Sequence, residues 1–466
     1  MKAILADLLD FSAAPAWGQT RTDAVRWRPA HWLLIDDHGR IQAVQAEAPD
    51  AGWQRIDCAG QLLMPGFIDT HVHSPQLPVV ASYGTALLDW LDNYTFPAEM
   101  AWADPAVAAA GNANFLDLLL AHGTTSAMVF PTVHKHAAHS LFEAAQARGM
   151  RLISGKVLMD RHAPAALLDD VAGAERDCLD LISRWHGVGR NAVAITPRFA
   201  PTSSPAQLQM AGALCRADPT LYVQTHVAEN RDEVRWVNQL FPSARSYLDV
   251  YHQAGLLHPR SMLGHGIWLD DDDRALLAAQ GAKIAFCPSS NLFLGSGLFD
   301  WQALSAAGGQ ATIATDVGGG TSLSMQRTLA DAYRVQALAG QRLTAWSALY
   351  AATRGAAEAL HLGHEIGSLE PGLMADLCLW DWHSAGSSPN HIDSQRQALA
   401  RDLHERVFAW MLLSDERHLV RCWVAGVQQV QRSARSSQPS PPSQSPQPTP
   451  VMHLSSDQPA HARHRS

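Results

Sequence analysis

Paired cysteine spacing is missing from this chain: its six cysteines, Cys58, Cys178, Cys215, Cys287, Cys378 and Cys422, are scattered singly. That excludes a small disulfide-stapled fold, and the apolar settings of most of them predict reduced, buried thiols in a cytoplasmic protein. Long apolar runs are missing too. None approaches the roughly 18 residues that a membrane span needs. Asp7 and Asp10 interrupt the apolar opening, so neither a membrane partner nor a secretory signal is expected. A basic stripe is also absent: Lys and Arg number 35 against 44 Asp and Glu, and the formal charge is −9. Electrostatics therefore gives no support to a nucleic acid polymer as partner.

What the chain does have is length and alternation. Its 466 residues can bury a substantial core, enough for a large barrel plus a small module. The first 60 or so residues read as short strands, among them His31–Ile35 and Ile41–Val44 around a hairpin-type turn at Asp36-Asp37-His38-Gly39. From Pro65, short apolar strands alternate with Ala/Leu-rich helical stretches. The strands begin with Pro65–His73 and continue through Thr125–Phe130, Arg151–Val157, Ala192–Arg198, Leu221–His226, Met262–His265, Lys283–Cys287 and Ala311–Asp316. Such a series predicts an α/β fold, a (β/α)8 barrel over 61–362. Helical stretches follow at Leu323–Leu338 and Ala345–His361, then a strand-like run from His418 to Val427. Residues 1–60 and 363–432 are expected to form a small β-sandwich module built from both chain ends. From about Ser433 the composition collapses into Ser, Pro and Gln, which predicts a disordered tail over 433–466 with no ligands among its histidines.

The chemistry starts at Pro65-Gly66-Phe67-Ile68-Asp69-Thr70-His71-Val72-His73. Side chains alternate on a strand, so His71 and His73 share a face and can offer two imidazoles to one borderline metal ion. In a chain with 23 histidines such a pair is weak evidence by itself, and His134 and His136 repeat it in what looks like a loop entering a helix. Position adds weight. Active sites of this barrel gather at the C-terminal strand ends, where the chain puts His71 and His73, then Arg198-Phe199, His226, His265 and Asp316. Each has a bland alternative, a satisfied polar group for a histidine or a turn before Gly318-Gly319-Gly320 for Asp316. That alternative must be invoked afresh at every strand.

Three imidazoles and a carboxylate can hold a divalent metal and leave a position for water, whose pKa falls from about 15.7 towards roughly 7. Hydrolysis is the reaction class this predicts. Glu229, in His226-Val227-Ala228-Glu229, is placed to shuttle a proton from that water to a ring nitrogen or leaving group. Its bland alternative is an acidic residue at a helix start, favoured by the helix dipole.

The order His71-Val72-His73, His226, His265, Asp316 resembles the amidohydrolase superfamily of metal-dependent barrel hydrolases, from the first strands to about residue 430. Pro65–Gln76, Leu88–Glu99 (Leu-Asp-Trp-Leu-Asp-Asn-Tyr-Thr-Phe-Pro-Ala-Glu), Gly155–Asp160, Arg198-Phe199, His226–Asn230 and Cys287-Pro288-Ser289-Ser290-Asn291 are similar, more narrowly, to its guanine-deaminating branch. The resemblance implies conversion of guanine to xanthine and ammonia, one Zn2+ per chain, a small purine as partner and a homodimer. It implies that His71, His73, His226 and Asp316 are the metal ligands and Glu229 the proton shuttle. His265 would position the attacking water and Asp316 would also accept a proton. Gln76 and Arg198 would grip the purine edge, with Trp90, Leu91 and Phe199 shaping the pocket. A guanidinium matches guanine's acceptors, and a carboxamide both donates and accepts; Arg198 also has the bland alternative of an ion pair at the barrel rim.

Two departures bear on this expectation. Related two-metal barrels carry a modified lysine at the end of the fourth strand, where this chain has Arg198, so one metal is expected; iron accepts the same ligands as zinc. The Pro-Cys-x-x-Cys signature of the other zinc deaminase design is absent, Cys287-Pro288 standing in reverse order. The rival readings are a sibling enzyme that deaminates or dechlorinates another heterocycle, and a catalytically silent barrel used as a scaffold. Gln76, Arg198 and the Trp90–Glu99 stretch oppose the first; intact ligands and Glu229 oppose the second.

Overall fold

The computed structural model describes residues 1–84, 86–383 and 391–432; the expected tail over 433–466 lies outside them. The chain opens with four strands, β1 (Lys2–Phe11), β2 (Val25–Ile35), β3 (Ile41–Gln45) and β4 (Gln54–Pro65). The next nine are β5 (Phe67–His73), β6 (Thr124–Phe130), β7 (Arg151–Ser154), β8 (Val157–Leu158), β9 (Asn191–Pro197), β10 (Tyr222–Val227), β11 (Ser261–His265), β12 (Lys283–Phe286) and β13 (Gln310–Ile313). They lie parallel in the order β13-β12-β11-β10-β9-β7-β6-β5, with the two-residue β8 paired to β9. Backbone bonds from Asp316 N to His71 O (2.9 Å) and from His73 N to Val317 O (2.8 Å) bring the two end strands together beyond β13. This is the expected barrel, closed at its rim by the segments that carry the candidate ligands.

Barrel strands are buried on both faces, which is why they read as near-continuous apolar runs rather than alternating ones. Inside the barrel, Ile68, Met128, Ile153, Ala194, Met262 and Ala285 pack on Ala356, Ala357 and Leu360. The helix Arg354–Ala359 thus plugs the end of the barrel opposite the site. The expected helical stretch Ala345–His361 is in fact two helices, Ala345–Ala351 and Arg354–Ala359, interrupted at Thr353.

The last strands, β14 (Leu377–Trp380), β15 (Leu419–Val424) and β16 (Val427–Gln431), join the first four in one seven-stranded mixed sheet, β16-β15-β14-β4-β1-β2-β3. Both chain ends build it, as expected, around Ile4, Leu8, Leu33, Leu63, Leu377 and Trp423. Two details differ from the sequence expectation. The run His418–Val427 is a hairpin rather than one strand, because Ala425 (φ 47°) and Gly426 (φ 71°) turn the chain. The apolar run Leu62–His73 hides a change of sheet: β4 ends at Pro65 and β5 begins at Phe67.

Candidate active site

At the C-terminal rim of the barrel, strand geometry delivers four side chains to one point. His71 and His73, two apart on β5, share a face, and His226 comes from β10 and Asp316 from the segment after β13. His226 Nε2 stands 3.2 Å from both His71 Nε2 and His73 Nε2. Asp316 Oδ1 lies 3.3 Å from His71 Nε2 and 3.2 Å from His73 Nε2. Burial lowers the pKa of His71 to about 4 and pushes His73 and His226 down as well. The rings are therefore neutral, with lone pairs turned inward. Burial would raise the Asp316 carboxyl, but the two imidazoles hold it well below the usual range.

Converging lone pairs of this kind repel one another unless a cation lies between them. Four of the spacings among these atoms are 3.2–3.3 Å, close enough for all four donors to reach one ion lying between them at the Zn–N and Zn–O distance of about 2.0–2.2 Å. The donor set fits a divalent metal. A looser grouping of His71, His226, His265 and Asp316, within 4.8 Å, also exists, but His265 Nε2 faces carboxylates instead, 3.4 Å from Glu229 Oε2 and 3.7 Å from Asp316 Oδ2. The tighter set, with His73, is the better cradle. His226 Nδ1 donates to Arg198 O at 2.7 Å, which leaves Nε2 as the free lone pair.

A cavity opens above the cradle. His73, His226, His265, Asp316, Glu229, Gln76, Arg198, Trp90, Leu91 and Phe199 all line it, so ten of the residues singled out from the sequence meet in one place. His71 lies behind, buried at the floor. Glu229 is buried, and burial raises its carboxyl to about 7, with His265 and a 3.1 Å bond from Ser296 Oγ opposing. His265 is held up by the Glu229 and Asp316 carboxylates against the lowering effect of its own burial. Its Nδ1 donates to Asn291 Oδ1 at 2.9 Å. His134 and His136 stack on each other at the entry to the helix Lys135–Arg148, away from the cradle.

Arg198 proves to be both an ion-pair member and a cavity residue. Its Nη1 bonds both oxygens of Glu99, at 2.7 and 2.6 Å. Glu99 sits on Phe96–Met100, after a π-helical turn over Leu91–Thr95 that crosses the barrel mouth. Sequence reasoning placed Glu99 in a motif without giving it a role, and it gave none to Ser296 or Asp69. Asp69, buried beneath the cradle, accepts from Thr315 N and Oγ1 and from His71 N. A lone Ser296 or Asp69 carries no sequence signal; Glu99, two residues beyond Pro97 in a stretch that already contained Trp90 and Leu91, carried a faint one.

Parallel barrel, inward-facing imidazoles and a strand-end carboxylate define a class of metal-dependent hydrolase, and residues 62–427 match the amidohydrolase family model. The chain belongs to the amidohydrolase family. Guanine deaminase of Escherichia coli K12 is 43% identical over 435 residues, 91% of this chain and 97% of that one. The human guanine deaminase is 30% identical over 86% of this chain and 92% of its own. The solved E. coli guanine deaminase superposes with a TM-score of 0.87 at 38% identity, covering 93% of this chain and all (100%) of that one. A guanine deaminase from C. acetobutylicum, solved with guanine in its active site, gives 0.82 at 26%, covering 92% and 99%. Within the family, the chain stands with the guanine deaminases.

Proposed function

We propose that this protein is a guanine deaminase, hydrolysing guanine to xanthine and ammonia. One observation carries it: the cradle and Glu229 share one cavity with Gln76 and Arg198. His71, His73, His226 and Asp316 would hold one metal ion, zinc by the softness of imidazole. A divalent ion held there supplies hydroxide at neutral pH by acidifying water. The remaining work falls to the chain. Arg198 and Gln76 hold the oxygen-bearing edge of the purine, and Trp90, Leu91 and Phe199 confine the ring and exclude bulk water. This turns the amidine carbon towards the cradle. Glu229, with a pKa near operating pH, takes the water's proton and gives it to the adjacent ring nitrogen. His265, held by Asn291, orients the attacking oxygen. Asp316 receives the second proton and passes it to the amino group, which leaves as ammonia.

The same resemblance supports a cytoplasmic homodimer; among the described residues no helix is long and apolar enough to cross a membrane. The test is ultraviolet-monitored turnover of guanine by purified, metal-analysed protein, beside adenine, cytosine and a chlorinated triazine. Guanine-selective formation of xanthine, abolished by a chelator and restored by zinc, is expected. Turnover of another ring but not guanine would make the protein a sibling enzyme; metal without turnover of any ring would make it a scaffold. Light scattering on the same sample reads the mass of the assembly.

A further inference from the structure

Glu99 touches no part of the cradle, yet it holds both residues that would face the purine. It is fully buried, as are Gln76 and Arg198 within a few per cent. Gln76 Nε2 donates to Glu99 Oε1 at 3.0 Å, and the same oxygen accepts from Arg198 Nη1. On the other side, Gly318 N donates to Gln76 Oε1 at 3.2 Å. Gly318 packs so closely that a Cβ there would lie 2.6 Å from Gln76 O. A glutamine carboxamide can be turned either way round, its nitrogen and oxygen having nearly the same shape. Here the partners decide. A carboxylate only accepts and a backbone N–H only donates, so the nitrogen must face Glu99 and the oxygen must face Gly318.

We infer that Glu99 is a specificity-determining positioning residue, which fixes the donor and acceptor order that Gln76 and Arg198 present to the purine. This rests on the guanine deaminase reading above. Guanine offers an acceptor at O6 beside a donor at N1–H. 2,6-Diaminopurine keeps the departing 2-amino group but reverses that edge, with a donor at the 6-amino group and an acceptor at N1. A carboxamide locked one way round accepts one order and leaves groups unpaired against the other, the kind of discrimination a hydrogen-bonding site makes most strongly.

The test is kcat and KM for guanine and for 2,6-diaminopurine in the wild type, Glu99→Gln, Glu99→Asp and Gln76→Met. In Glu99→Gln the new amide can donate as well as accept, so one of the two partners no longer dictates the orientation of Gln76 and only the longer Gly318 bond opposes a turn. Its guanine to diaminopurine ratio of kcat/KM should narrow at least about tenfold, mainly through a raised KM for guanine. Glu99→Asp, still an acceptor, should raise KM for both and keep the ratio. Gln76→Met, which fills the same space without an amide, should narrow the ratio like Glu99→Gln, and it carries the test if Glu99→Gln does not fold. Equal losses on both purines in Glu99→Gln, or an unchanged ratio in Gln76→Met, would overturn the inference while leaving guanine deamination intact. A wild type that does not turn over guanine overturns both.

Discussion

Glu229 is where burial becomes chemistry. A carboxyl at its ordinary value is too weak a base for water at neutral pH, and here desolvation lifts it to about 7. The base form is the ionised one, so kcat/KM should climb about tenfold per pH unit below about 7 and level off above it. Glu229→Gln should lose about 10²- to 10⁴-fold in kcat, the usual worth of a placed acid-base group, while metal analysis still finds the ion. A variant that lost its metal as well would move Glu229 from the proton path to the cradle. The cradle itself leans on a residue with no side chain. Gly264 on β11 lies against His71, where a Cβ would approach the ring's Cε1 to 2.6 Å and its nitrogens to 3.0 Å. Gly264→Ala must push the His71 ring, so bound metal per chain should fall well below that of the wild type when both are dialysed against the same zinc buffer. Backbone strain gathers in the same place: His265 (φ 72°) and Asp316 (φ 52°) both hold left-handed conformations that non-glycine residues rarely adopt, at a cost of about 1–3 kcal/mol each.

The helix Arg231–Leu240 shows how an element fixes a catalytic side chain. Asn230 caps it by accepting from Asp232 N at 2.8 Å, and Glu233 reaches back to Asn230 N at 3.1 Å and to Glu229 N at 2.9 Å. Tyr247 Oη donates to the other oxygen of Glu233 at 2.7 Å, so the cap is tied to the neighbouring helix Tyr247–Ala254. Asn230→Ala should cost about 1 kcal/mol, read as a lower urea midpoint. It should also cut kcat more than KM, since the residue loosened is the one before the cap. A lower midpoint with unchanged kcat would show that Glu229 is held by Ser296 and its own burial instead. Elements of this kind were legible in sequence because they depend on local pattern. The eight barrel strands read as apolar runs, and the residues at their C-terminal ends read as a rim. What stayed hidden depends on contacts far along the chain. Glu99 and Arg198 are buried together although a hundred-residue span separates them, and no local pattern couples Gln76 to Gly318. The hairpin at Ala425-Gly426 was missed because the apolar run continues from β15 through the turn to Val427, the first residue of β16, and Gly426 alone marks the turn.

At the scale of the whole molecule, the seven-stranded sheet and the barrel meet around Trp380, and this junction lies at the opposite end of the strands from the site. Trp380 on β14 is buried against Phe67 (ring centroids 5.7 Å apart) and Trp410 (5.7 Å), and it fits over Gly123, where a Cβ would lie 2.5 Å away. Phe67 opens the strand that His73 closes, a span of about 20 Å at the rise of a parallel strand. The sheet therefore supports β5 at its foot while the cradle sits at its head. Trp380→Ala should cost about 3–5 kcal/mol, because a close-packed core collapses only partly into so large a void. The urea midpoint should drop sharply. Molecules that remain folded should keep the wild-type KM for guanine and the wild-type metal content, since the strand between junction and site is paired with β6 on one side and bonded on the other to the segment after β13. Kinetics in the absence of denaturant and unfolding of the same preparation separate the two effects. A tenfold change in KM alongside the lost stability would show instead that the foot of β5 sets the geometry of its head, and that the β module takes part in shaping the site.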